Sequence, residues 1–145
     1  MKSPKIKVRK IGKRLGKIVP AAIRHIAIHT TGTRRNMQVR DLDKLTYHFL
    51  ITRSGRIINI NPITPKDTAV EVALLGGLDM TGKHVDDRTP EQNDTLFSTI
   101  VALVEQFPHA DIAGADTLYP YGFANPGFDV KKWLGSYEPS FLKAA

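Results

Sequence analysis

The sequence contains no cysteine. That absence removes a disulfide framework, a thiolate metal site and a thiol nucleophile, and it fits a reducing compartment. Long hydrophobic runs are missing as well. The longest apolar stretch near the N-terminus, Ile18 to Ile23, contains Pro20 and stops at Arg24, so the h-region of a signal peptide does not form. No segment approaches the roughly 18 apolar residues of a membrane-spanning helix. A soluble, cytoplasmic protein is expected. Acids are absent from residues 1 to 20, which hold eight positive side chains: Lys2, Lys5, Lys7, Arg9, Lys10, Lys13, Arg14 and Lys17. The other 125 residues keep 13 of the 21 positive charges against all 14 acids, a balance of −1. The net charge of +7 therefore describes an arm on a near-neutral body.

At 145 residues with 41% hydrophobic content, the chain has material for one core and too little for two ordinary domains. The expected division is a basic flexible arm over 1–20 and a single folded domain over 21–145. In the arm, Ile6, Val8 and Ile11 are separated by Lys7, Arg9 and Lys10, and Gly12 and Gly16 interrupt any helix. Its charges read either as a solvated tail or as a contact for nucleic acid or another polyanion, with Lys5, Lys7, Arg9, Lys10, Lys13 and Arg14 as the contact residues.

From Arg24 the pattern changes. His25-Ile26-Ala27-Ile28-His29 is short, apolar and β-branched, as in a buried central strand, and it ends at Thr30-Thr31-Gly32. Tyr47–Thr52 and Arg56–Ile60 flank Ser54-Gly55, which reads as the two-residue loop of a β-hairpin. Ala69 to Leu75 reads as a strand stopped by Gly76-Gly77. Thr89-Pro90-Glu91-Gln92 starts a helix, with a Thr cap, proline at the first helical position and an acid in the first turn. Leu96, Ile100, Leu103, Val104 and Phe107 then recur at helical spacing up to Pro108. A strand from Asp111 to Gly114, a loop rich in glycine, proline and aromatics, and a small helix around Val130 to Leu134 complete the chain. The order implies one α/β domain, a central mostly mixed sheet with helices on both sides.

Four stretches in order carry a resemblance: Ile26-Ala27-Ile28-His29-Thr30-Thr31-Gly32-Thr33; Tyr47-His48-Phe49 leading into Arg53-Ser54-Gly55; Gly76-Gly77-Leu78-Asp79 with Asp87-Arg88-Thr89; and Pro126-Gly127-Phe128-Asp129-Val130. Together, over roughly residues 24 to 133, they resemble the phage lysozyme-type, zinc-dependent N-acetylmuramoyl-L-alanine amidases, relatives of the peptidoglycan recognition proteins. The resemblance implies that family's fold and a zinc held by three protein ligands with an open position for water. In the family, the metal lowers the pKa of its water and polarises the amide carbonyl between muramic acid and L-alanine. A tyrosine beside the hairpin and, in many members, a lysine near the third ligand help to stabilise the transition state.

Carried over by position, the resemblance places the first ligand at His29 and the tyrosine at Tyr47. The second ligand follows a glycine in the family's Gly-His-Arg-Asp-Leu. This chain has Gly114-Ala115-Asp116-Thr117-Leu118, which puts Ala115, without a donor atom, at that position. The third precedes Pro126, and the residue there is Asn125, whose neutral amide is a poor partner for zinc. The lysine position falls on Phe123. Only 13 residues separate Thr33 from Tyr47, where the family has a helix and loop, and the family's His-Ala-x-Gly segment is missing between Ile60 and Gly76.

These departures imply an amidase-like protein without its zinc site or any other cofactor, acting as a non-hydrolytic binding protein. Its ligand would be a peptidoglycan fragment, an anionic small molecule or a protein. The candidate ligand-binding residues are His29, Tyr47, Asp116, Tyr119, Tyr121, Phe123 and Asn125. The loop Tyr119-Pro120-Tyr121-Gly122-Phe123 reads as a plug for the space left by zinc or as a stacking wall. Two alternatives stay open. One is a working zinc amidase with replacement ligands, for which a shift of Asp116 inward is the available route. The other is polyanion binding through the arm. His48 reads as structural and facing away from Tyr47, His25 as too far from His29 to share a metal, and His84 and His109 as solvated.

Overall fold

Short runs of apolar and β-branched residues form the strands at the centre of the molecule. The computed structural model describes residues 22–137. The basic arm and its candidate polyanion contacts lie outside the described residues. In order, the elements are β1 (His25–Thr30), β2 (Thr33–Arg34), a 3-10 turn (Val39–Asp41), β3 (Phe49–Ile51), β4 (Ile57–Asn59), β5 (Ala69–Leu74), β6 (Gly77–Leu78), α1 (Pro90–Gln106), β7 (Asp111–Gly114), α2 (Ala115–Leu118) and α3 (Val130–Tyr137). Five strands make one sheet in the order β4-β3-β5-β1-β7, and β2 and β6 make a small second one. The main sheet is mixed: β3, β5, β1 and β7 run parallel, and only the β3–β4 hairpin is antiparallel.

Alternation along the strands sorts the two faces. Ile26 and Ile28, Phe49 and Ile51, and Val70, Val72 and Leu74 point to one face, where they share a core with Leu96, Ile100 and Leu103 of α1 and Val130, Trp133 and Leu134 of α3. The sheet is thus flanked by helices, with the two longer ones contributing to the same core. The other face is covered by a smaller cluster, in which Leu50, Ala73 and Leu75 meet Val39, Leu42, Leu45 and Tyr47. The shortened segment between Thr33 and Tyr47 therefore still roofs the sheet, using a single 3-10 turn in place of a helix.

The helix start behaves as its residues require. The Thr89 hydroxyl accepts the Gln92 amide and the Gln92 side chain accepts the Thr89 amide, a complete capping box with Pro90 at the first position. The hairpin turn corrects the expected loop length. Thr52 N donates to Arg56 O, so three residues, Arg53-Ser54-Gly55, form the loop. Gly55 takes φ +87° at its end, the left-handed position that such three-residue loops need, and a Cβ there would meet the Glu91 carbonyl at 2.8 Å. No helix among the described residues is long and apolar enough to cross a membrane.

Candidate functional site

Four parallel strands deliver their C-terminal ends to one edge of the sheet, and the aromatic and titratable residues gather there. β1 ends at Thr30 and carries His29 on the face opposite the helices. β5 lies beside it with Ala27 paired to Glu71, so Glu71 stands on the same face two residues before the level of His29. On the other side, the pairing of Ile28 with Gly114 carries Ala115 to the level of His29. The loop that leaves α2 returns over this edge with Tyr119 and Tyr121.

The side chains form one connected network. His29 Nε2 donates to Glu71 Oε1 at 2.5 Å, Tyr119 Oη donates to Glu71 Oε2 at 2.6 Å, and Tyr121 Oη lies 3.2 Å from His29 Nδ1. Three tyrosine rings surround the imidazole, with centroids at 5.1 Å for Tyr47, 5.8 Å for Tyr119 and 6.2 Å for Tyr121. Tyr47 Oη donates to Thr30 O at 3.4 Å, and Asn125 Oδ1 accepts the Thr30 amide at 2.8 Å, so the end of β1 is tied to both flanking loops. His29 and Asn125 are buried, whereas Tyr121 is 37% exposed. Beside Tyr47, a recess of about 220 Å³ opens between the end of β1 and the 37–47 segment, lined by Thr31, Thr33, Asp41, Asp43 and Lys44 among others.

Burial acts first on the ionisation of this cluster. It raises the Glu71 carboxyl, but the hydrogen bonds from His29 and Tyr119 and the neighbouring imidazoles outweigh it and hold Glu71 below its ordinary 4.5. Burial, with the charges of Tyr121 and Glu71, pushes the Tyr47 phenol up to about 12. Tyr119 and Tyr121 are raised as well, by burial first and then by Glu71, and Tyr137 is raised by burial and Asp94. The chain has four tyrosines, and each is shifted upward. A raised folded-state pKa contributes stability that is present below the unfolded value, near 10. It is lost as pH rises through the folded value. A spectrophotometric titration at 295 nm should accordingly show phenolate lagging behind free tyrosine at pH 10 to 11, with the lag abolished in denaturant. Coincident curves in buffer and denaturant would contradict the packing of these rings.

No family model matches the chain. Among curated proteins, it is 27% identical over 127 residues to an endolysin of Escherichia phage T7 and 28% identical over 127 residues to an endolysin of Klebsiella phage KP32, each alignment covering 74% of this chain and 83% of the relative. Among solved structures, an endolysin N-acetylmuramoyl-L-alanine amidase from Clostridium intestinale superposes with TM-score 0.59 at 18% identity, over 80% of this chain and 84% of that one. Bumblebee PGRP-SA superposes with TM-score 0.54 at 14% identity, over 81% and 83%. The chain has the fold of the N-acetylmuramoyl-L-alanine amidases and peptidoglycan recognition proteins, and its sequence is similar to that of phage endolysins.

The family resemblance implies zinc, so the donors at its three ligand positions have to be weighed. His29 has protein partners at both ring nitrogens. Ala115 is fully buried and has no donor. Asn125 directs its amide oxygen to the Thr30 backbone. Among the described residues, no group of three His, Cys, Asp or Glu stands close enough to hold one metal ion. This donor set does not fit a three-ligand zinc site.

The remaining candidates divide. Asp116 does not turn inward: it is exposed, and its carboxylate accepts the Asn125 amide at 3.2 Å, bracing the loop. Tyr119 and Tyr121 fill the space over His29. Phe123 points outward instead, 43% exposed, and stacks between Tyr121 at 5.4 Å and His84 at 4.2 Å. His84 is therefore half-buried against a ring rather than solvated, while His109 is exposed. His48 is buried, accepts the Glu71 amide on Nδ1 at 2.9 Å and pairs with Asp67 at 3.2 Å, a brace between β3 and β5. Sequence reasoning missed Glu71, although a signal was present. A lone acid in the apolar run Ala69–Leu75 is costly on an interior strand unless a partner faces it.

Proposed function

We propose that the protein uses the amidase fold as a non-hydrolytic binding protein, taking its ligand at the aromatic edge of Tyr47, Tyr119, Tyr121 and Phe123 and in the adjoining recess. One observation carries this reading: two of the three metal-ligand positions hold Ala115, which has no donor, and Asn125, which is committed to the backbone. The likeness to phage endolysins and to an N-acetylmuramoyl-L-alanine amidase favours a peptidoglycan fragment as the ligand. The ionised Glu71 gives the edge negative charge, which disfavours a small anion and suits the neutral sugar and amide groups of such a fragment. Exposed tyrosine and phenylalanine rings provide stacking area with polar handles beside it. Calorimetric titration with soluble muropeptides is expected to show saturable binding, weakened about fivefold by Tyr47→Ala and by Tyr121→Ala, in line with about 1 kcal/mol for an aromatic contact. Absence of saturable binding would remove the peptidoglycan assignment.

A second reading rests on charge alone. Eight positive residues without an acid in positions 1 to 20 suit a polyanion contact. The logarithm of the affinity for a phosphate-rich polymer should fall linearly with the logarithm of salt concentration, and binding should vanish on deletion of residues 1–20. A salt-independent affinity would argue against it.

A further inference from the structure

A neutral imidazole has one lone pair, and a divalent metal needs it. Glu71 decides which nitrogen of His29 holds that pair. A carboxylate only accepts, so the 2.5 Å contact places the ring proton on Nε2 and leaves the lone pair on Nδ1. The other Glu71 oxygen is fixed by Tyr119 Oη at 2.6 Å, so both carboxylate oxygens are held, and the Glu71 backbone N–H donates to His48 Nδ1. A carboxylate that orients a histidine in this way ordinarily supports a metal on the opposite nitrogen. Here the Tyr121 hydroxyl stands at that nitrogen, 3.2 Å away.

We infer that Tyr121 is a built-in occupant of the metal-binding nitrogen of His29: its O–H takes the lone pair that a divalent cation would take, while Glu71 keeps that lone pair aimed at it. The loop is shaped for the task. Tyr121 N donates to Tyr119 O at 2.9 Å in a tight turn, Gly122 follows with φ +74°, and Phe123 anchors the far side by stacking on His84. The network is an internal replacement for a metal centre, in which a phenol substitutes for the cation and ties the loop to the sheet.

The inference rests on the reading of the site as zinc-free, but it concerns different residues and predicts effects of opposite sign. In the full-length Ala115→His/Asn125→Asp background, three ligand positions hold donors. Adding Tyr121→Phe, which removes only the hydroxyl, should raise zinc affinity at least tenfold in competition with a chromogenic chelator. Adding Glu71→Ala to the same background should lower it about tenfold or more, as loss of an orienting carboxylate does. A merely structural Tyr121 would give no gain, and circular dichroism of each variant checks the fold. In the wild-type protein, nitrogen NMR of the His29 ring should report the Nε2–H tautomer. No gain from Tyr121→Phe, or an Nδ1–H tautomer, would overturn the inference and leave the proposed function standing. Stoichiometric zinc binding by the wild-type protein that His29→Ala abolishes would defeat both.

Discussion

Incubated with dye-labelled peptidoglycan and added zinc, the wild-type protein should release no more dye than its His29→Ala variant. Amidase chemistry on this fold needs a metal-bound water at depressed pKa, and that needs about three protein ligands with fixed support. Of the three positions, His29 alone has a side chain suited to the metal, and both of its ring nitrogens are engaged. Single restorations, Ala115→His or Asn125→Asp, leave two ligands and should stay inactive. The double change is the minimum, and it faces two further obstacles: Tyr121 stands at His29 Nδ1, and Phe123 is the residue where the resemblance would place the helper lysine. Turnover by the wild-type protein that disappears in His29→Ala would overturn the non-hydrolytic reading. Equal background in the two proteins, together with saturable muropeptide binding, is the expected pair of results.

Gln92→Glu should destabilise the protein by about 3 kcal/mol at neutral pH, on the order of 10 °C in Tm. Gln92 is fully buried, and its amide nitrogen donates to Ile51 O at 3.2 Å and Leu75 O at 2.9 Å while its oxygen accepts the Thr89 amide at 3.1 Å. One side chain thus completes the helix cap and ties α1 to the ends of β3 and β5. A carboxylate of the same size cannot donate, so it would face two carbonyls with a buried charge. Gln92→Ala removes the same bonds without adding charge. Both carbonyls then keep a second donor, from Leu75 N and Arg53, so its cost should be smaller, about 2 kcal/mol. The Glu variant should recover part of its loss as pH falls and its carboxyl gains a proton. Denaturant melts at pH 7 and pH 5 test this, and a Gln92→Glu protein as stable as the wild type would remove Gln92 from its bridging role.

Local chemistry written into consecutive residues was readable before any coordinates. Thr89-Pro90-Glu91-Gln92 starts α1 because cap, proline and reciprocal side chain act within four residues. His25–His29 and Ala69–Leu75 read as strands because apolar β-branched runs suit a buried parallel sheet. Signals failed where the deciding partner was distant. The two-residue strands β2 and β6 exist only through each other, and the one-turn α2 takes its place between β7 and a returning loop. Both are too short to carry a period.

The sequence by itself determined the division of charge, the order of the longer strands and helices and the family resemblance, because each of these depends on residue type and local order alone. Tertiary structure decided what those residues do. Parallel register set Glu71 beside His29, the loop after α2 turned Tyr119 and Tyr121 inward and Phe123 outward, and Asp116 was spent on the Asn125 backbone. Hydrogen bonds between residues 42 and 92 positions apart have no periodic trace along the chain. They follow from strand pairing, which places side chains on a common face only once the sheet has formed.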